Sequence, residues 1–191
     1  QNEIYFIQEK GFGKLLVNPR TFIADEAQGT SLFTGTGETI ESHTYISTQY
    51  GTKHQSSTIS TEDSIYFIDV SSKKIIQFKN NTLSILSDSK GIKNKLDKYL
   101  NNAKGFNQNE LEIFANKPRI SLSDMPIKFQ GISTGYDPIN RNVIFTFKQE
   151  DNLNSPGISL ENNYTLIYNE NIEAFTTTWN VYPQHWITHM N

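Results

Sequence analysis

Short apolar runs broken by polar or glycine-containing steps recur along this chain. Ile4-Tyr5-Phe6-Ile7 reads as a strand ending in a Gly11-Phe12-Gly13 turn. Leu15-Leu16-Val17 continues extended to Asn18-Pro19, because the residue before proline avoids helix. Thr21-Phe22-Ile23 is a further apolar run, and Gly29 to Gly37 predicts a loop around Leu32-Phe33. Thr44 to Thr48 predicts a strand closed by Tyr50-Gly51, and Ser57 to Ser60 leads into a Thr61-Glu62-Asp63-Ser64 turn. The clearest unit follows: Ile65 to Val70 as a strand, Ser71 to Lys74 as a polar turn, and Ile75 to Phe78 as the return. Asn80-Asn81 then turns the chain into Thr82 to Leu86. Connections this short make consecutive strands neighbours, so the segment predicts an antiparallel meander.

The period then changes. Ile92, Leu96, Tyr99 and Leu100 share one helical face, with Lys93, Asn94, Lys95, Asp97 and Lys98 pointing outward. Ser87, Asp88 and Ser89 offer N-caps, and Asn101, Asn102 and Gly105 offer a stop. Leu111, Ile113 and Phe114 suggest a second short element, with Pro118 and Pro126 at its exit. A second meander closes the chain. It comprises Gly131 to Gly135, a turn-rich Tyr136 to Asn142, and a strand from Val143 to Lys148. A polar loop (Asn152, Asn154, Pro156, Gly157) leads to a strand from Tyr164 to Tyr168. Asn169-Glu170 is then a turn, Ile172 to Phe175 a return strand, and Thr176 to Trp179 a run toward Pro183.

The two meanders look alike, with Ile65 and Val143 in equivalent places 78 residues apart. A four-stranded propeller blade takes about 40–50 residues, so that offset accommodates one blade plus the inserted helical region, or two compact blades. The fold class expected is mainly β. Antiparallel meanders form β-propeller-like blades with a short inserted α-helical segment, and a β-sandwich is the alternative with nearly the same strand spacing. The segments are 1–42 (β and loop), 43–88 (first meander), 89–117 (helical insertion) and 118–191 (second meander). A blade cannot bury both faces alone, and the chain opens at Gln1 and stops at Asn191 just past a Trp-containing stretch. A piece of a larger polypeptide is therefore expected.

Composition sharpens this picture. Aromatics make up 12 % of the chain and charged residues 19 %, with Asn, Ser, Thr and Ile abundant. That mixture suits pleated strands and tight turns. A chain of 191 residues without cysteine buries a core unaided, as one large domain or two small ones. The formal charge of −3 argues against a general nucleic-acid binder, which would carry a basic surface. No apolar run reaches the length of a membrane-spanning helix, and the amino terminus does not read as a signal peptide.

Candidate chemistry is sparse. His185 and His189 have the spacing of a helical metal pair, but Trp186 stands where a metalloprotease carries Glu. His43 and His54 lack a nearby carboxylate pair and read as hydrogen-bonded strand or loop residues. Gly35-Thr36-Gly37 and Gly11-Phe12-Gly13-Lys14 lack the context of a phosphate loop. Ser56, Ser57 and Ser133 sit in no nucleophile elbow. Glu62, Asp63, Asp137, Glu170 and Glu173 could supply a glycosidase carboxylate pair, yet all occupy predicted turns, where solvated structural roles dominate. Asp69 is expected to accept backbone N–H groups in its turn. Asp137, Asn140 and Asn142 do not have the spacing of a calcium loop. Asn80 and Asn163 open glycosylation sequons that an Asn-rich chain produces by chance. Lys90, Lys93, Lys95 and Lys98 read first as a solvated helix face and second as a phosphate-facing stripe. Trp179, Trp186, Tyr182 and Tyr164 would form a sugar-stacking platform if clustered on an exposed face. No catalytic, cofactor-binding or metal-binding residue is assigned, and no cofactor is expected.

The runs Tyr45 to Ser57, Ile65 to Asp69, Ile75 to Phe78 and Leu86 to Gly91 resemble a pattern in large phage tail proteins. Tyr136 to Phe147, then Leu166 to Glu170 and Phe175, continue the pattern to about residue 180. The chain resembles the muzzle-type tail protein of crAss-like phages. More distantly it is similar to the tubular nozzle proteins of short-tailed phages, which carry β-propeller domains. This resemblance implies a structural virion component of the tail, not an enzyme, put together in the bacterial host cytoplasm. Its implied partners are further copies in a ring and neighbouring tail or portal-side proteins, around a channel through which phage DNA passes without specific binding. A carbohydrate-binding receptor-recognition module and a bacterial surface β-sandwich are the alternatives.

Overall fold

A computed structural model describes residues 3–17, 21–25, 30–34, 40–52, 54–101, 132–147, 163–183 and 186–187. Among the described residues the protein is mainly β: three antiparallel sheets of three or four strands, a two-stranded ribbon and two short helices. It divides into two compact units, residues 1–51 and 52–191.

In the first unit, β1 (Ile4–Gln8), β2 (Gly11–Val17) and β5 (Ile40–Ser47) form a sheet in the order β1-β2-β5. β3 (Thr21–Asp25) pairs with β4 (Thr30–Thr34). Two sequence expectations change here. Gly11-Phe12-Gly13 is strand, not turn, and the chain reverses one step earlier at Glu9-Lys10. The expected loop around Leu32-Phe33 contains β4. Gly13 is glycine for want of room. It pairs with Phe6 on one side and Tyr45 on the other, and a Cβ there would lie 2.4 Å from the Phe6 ring. Phe6 and Tyr45 instead meet edge-on across it at 5.3 Å.

The second unit holds two four-stranded meanders. The first is β6 (Thr58–Ser60), β7 (Ser64–Asp69), β8 (Lys74–Lys79) and β9 (Thr82–Ile85). The second is β10 (Ile132–Asp137), β11 (Asn142–Phe147), β12 (Tyr164–Asn169) and β13 (Ala174–Trp179). β7 and β11 are each the second strand of their sheet, in agreement with the repeat seen between Ile65 and Val143. Between the meanders, α2 (Lys93–Asn101) sits where the periodicity places a helix, whereas α1 (Leu86–Ser89) takes Leu86 from the end of the expected strand. Ile92, Leu96 and Leu100 are buried as that pattern requires, while the Tyr99 side chain lies outside the described residues. Ser87 to Ser89 are not caps of the longer helix: they form α1 itself, and Gly91 at φ +75° separates the two. Leu111, Ile113, Phe114, Pro118 and Pro126 lie outside the described residues.

The core follows from register. In the second sheet Tyr136, Val143 and Tyr168 line up across the strands, as do Thr134, Phe145 and Leu166. That face meets Tyr66, Ile68 and Ile75 of the first sheet and the helical residues Leu86, Ile92, Leu96 and Leu100 in one apolar cluster. Side chains on opposite sheets therefore share a single dry core, which is the driving force for pairing the sheets. The first sheet is apolar on both faces, since Phe67, Ile76 and Phe78 on the other side are also buried.

Three turns repeat one device. Asp69, Asp137 and Asn169 each end a strand and accept backbone N–H groups two or three residues on: Ser72; Ile139 and Asn140; Asn171 and Ile172. Each turn then closes with a residue at positive φ, Lys73 (54°), Arg141 (53°) or Glu173 (50°). An Asx carboxylate or amide substitutes for water at the tip, and the left-handed residue returns the chain to the next strand. Asp69 thus does what the sequence suggests. Ile172 is not on the return strand; it tips the last of these turns, and β13 starts only at Ala174.

Candidate functional site

Among the described residues a polar cluster joins the two sheets at the end carrying the β6–β7, β10–β11 and β12–β13 turns. Glu170, in the β12–β13 turn, is buried at 9 % exposure. Its Oε1 accepts from the Tyr66 hydroxyl at 2.8 Å and the Thr61 hydroxyl at 2.8 Å. Its Oε2 accepts from the Tyr136 hydroxyl at 3.1 Å and stands 3.3 Å from Arg141 Nη2. The backbone holds it as well, through Glu170 N–H to the Arg141 carbonyl at 2.9 Å. Gln77 extends the network by donating to Tyr66 Oη at 2.8 Å. A buried carboxylate is tolerated only when its lone pairs are met, and here all the described donors come from the chain itself.

Arg141 is the hinge of this cluster. Its Nη2 meets Asp63 at 2.6 Å and its Nη1 meets Glu62 at 3.2 Å, so one guanidinium spans an exposed pair and a buried carboxylate. The carboxylate of Asp63 beside it raises its pKa, with Glu170 adding to the effect. Burial pushes the Tyr136 phenol up to about 12, and the negative charge of Glu170 adds to that. Tyr66, wholly closed to water, is pushed up further by burial, and its hydrogen bond to Glu170 acts in the same sense. These phenols stay neutral donors, as the network requires.

Of the five turn carboxylates singled out in the sequence, all do lie at turns, but Glu170 is not solvated. The sequence pattern misses this because a turn residue is buried only when a second sheet lies over it. The one legible hint is the pairing of Tyr66 and Tyr136, polar-tipped aromatics on core-facing positions of strands 70 residues apart. Asp137 is engaged by two backbone N–H groups and by Asn140 Nδ2 at 2.7 Å, which hold its carboxyl below the usual range. Among the described residues no cluster of three or more His, Asp or Glu side chains is placed to hold a metal. His43 sits on β5, edge-on to Phe6 and Tyr45 at 6.0 and 5.5 Å. His54 lies in a loop held by Thr52 and Ser57. His185, His189 and the Gly35-Thr36-Gly37 step lie outside the described residues. Lys90, Lys93 and Lys95 are exposed, and the Lys98 side chain lies outside the described residues.

The aromatic residues near the carboxyl end divide. Trp186 lies over the outer face of the second sheet, donating from Nε1 to Thr146 Oγ1 at 3.0 Å. Its side chain fills the space above Gly135, where a Cβ would come within 2.6 Å of it. Thr165 and Ser133 hold the same segment by donating to the carbonyls of Val181 and Pro183. Trp179 is 37 % exposed, with its ring 6.3 Å from that of Trp186 and tilted by 52°. The Trp186 ring is thus a packing element, and the two rings do not share a plane. Tyr164 packs against the core, and Tyr182 is half-buried.

No helix among the described residues is long and apolar enough to cross a membrane. No curated protein matches the chain. The family model of the Crassvirus muzzle protein, however, matches residues 1–190, and the chain therefore belongs to the muzzle proteins of crAss-like phages, structural proteins of the phage tail.

Proposed function

We propose that this chain is a rigid, non-catalytic building block placed around the DNA exit channel of the tail. In this reading its two meanders, β6–β9 within 43–88 and β10–β13 within 118–191, are successive propeller-like blades, with 89–117 inserted between them. The first strands β6 and β10 lie next to each other, and Thr134 Oγ1 donates to the Ser56 carbonyl at 3.0 Å, as expected for inner strands facing a common axis. Work is done by geometry: a blade of fixed shape sets the spacing of neighbouring copies and of adjoining tail proteins, and DNA passes without specific binding. Assembly takes place in the host cytoplasm.

The observation that carries this reading is the Glu170 cluster. The best candidate for an acid–base centre spends its oxygens on Tyr66, Thr61, Tyr136 and Arg141, joining sheet to sheet. A general acid or base needs a face open to substrate. A carboxylate used in this way is a structural clamp. Gold-labelled antibody against the chain, applied to purified virions, is expected to decorate the distal tail. Label on the capsid alone, or none on intact particles, would sink the proposal.

A further inference from the structure

The alternation of turns gives the second unit two unlike poles. One pole carries the tips at 61–63, 80–81, 138–141 and 170–173, because Arg141 ties the β10–β11 turn to Glu62 and Asp63 of the β6–β7 turn. Ile139 and Ile172 stand at this pole 87 % and 63 % exposed. Neither is on a loose loop. Asp137 and Asn169 fix their turns, and Asn169 Nδ2 donates to both the Asn140 carbonyl and Asn142 Oδ1, locking the two tips together. Exposed Glu173 follows Ile172 in the same turn, and exposed Glu62 and Asp63, paired with Arg141, lie in the adjoining β6–β7 turn. The opposite pole carries the β7–β8 turn and the start of the helices, where Lys74 meets Asp88 at 3.4 Å. Lys73 lies in that turn, and Lys90, Lys93 and Lys95 are exposed on the helical segment that begins there.

We propose that the isoleucine-tipped acidic pole of one copy docks on the lysine-bearing pole of a second copy. Two exposed β-branched side chains carried on turns that are tied to each other are low-entropy anchors, and rigid anchors favour binding. The charges around them are opposite in sign to those of the other pole of the same unit, so the complementary partner is another copy of this chain. Such a contact is heterologous, head to tail, and its repetition gives a ring or an open string. This inference rests on the assembly role proposed above and names the surfaces that would serve it.

Sedimentation velocity of the purified chain over a concentration series tests it. Self-association that weakens with salt is expected. Ile139→Ser/Ile172→Ser should weaken it about tenfold or more, as for a central anchor, with circular dichroism unchanged. Glu173→Lys alone and Lys93→Glu/Lys95→Glu alone should each weaken it, and an equimolar mixture of the two should restore it. A monomer at every concentration, or association indifferent to the isoleucine pair, would overturn the docking. If such a chain still labels on virion tails, the tail role stands and only this contact falls.

Discussion

Replacing Glu170 by alanine removes the acceptor shared by the two sheets. The Tyr66 and Tyr136 hydroxyls, 0 % and 6 % exposed as residues, then lose that partner with little access to water. Leaving a buried hydroxyl unsatisfied costs about 1–3 kcal/mol. Thr61 is half-buried and can turn to solvent, so it adds little. The two tyrosines together therefore predict a loss of about 2–6 kcal/mol for Glu170→Ala. Both tryptophans lie in the second unit, so their emission follows its unfolding in urea. With a slope of about 2 kcal/mol/M, the midpoint should fall by about 1–3 M at unchanged slope. Glu170→Gln keeps a neutral acceptor and should fall between wild type and alanine. The sharper measurement is a double-mutant cycle with Tyr66→Phe. Removing the orphaned hydroxyl should recover part of the loss, giving a coupling of about 1 kcal/mol or more. Strict additivity, or a midpoint shift under about 0.3 M for the alanine variant, would refute the clamp.

Gly135→Ala should push Trp186 off the sheet, because its Cβ would meet that indole at 2.6 Å; an emission shift with a loss of about 1–3 kcal/mol is expected, and an unchanged spectrum would contradict the placement. Asn80 and Asn81 sit at φ 51° and 60°, so Asn81→Gly should be neutral or stabilising by up to about 1 kcal/mol, and Asn81→Val destabilising, in the same urea assay. The Asp137 carboxyl is held below its usual range by Asn140 and backbone N–H groups, so its contribution is present above the unfolded value and lost as pH falls through the folded one. Asp137→Asn keeps the turn and should flatten that part of the acid limb of stability against pH. The Tyr136 and Tyr168 phenols, raised to about 12 chiefly by burial, are stabilising below their ordinary value of 10.0. Stability should fall as pH rises from there toward 12, together with a delayed tyrosinate absorbance; titration at the ordinary value would oppose this.

The strands from Ile65 to Ile85 are legible in the sequence because each loop is short and each apolar run is flanked by polar turn residues. The helical face of Ile92, Leu96 and Leu100 is legible by period. Gly11 to Gly13 misleads because glycine signals a turn by its backbone freedom, whereas here it serves by its missing Cβ between Phe6 and Tyr45. The site is harder to see. Asp69 shows its role locally, since its partner is three residues away. Glu170 does not, because its partners Thr61 and Tyr66 are 109 and 104 residues distant, and nothing in a local window reports such a separation.

That separation also has a consequence for synthesis. Every strand pairing within the first meander is local, so it can form as soon as its residues emerge from the ribosome. Its partner strand β11 trails β7 by 78 residues. At bacterial elongation rates of about 5–20 residues per second, Tyr66, Ile68 and Ile75 wait on the order of 4–16 s for their cover. A nascent sheet with two apolar faces is then open to mispairing with neighbouring chains on the same message. Polysomes crowded with this chain are where aggregation would begin, and slowing initiation should raise the soluble yield more than lowering temperature after release.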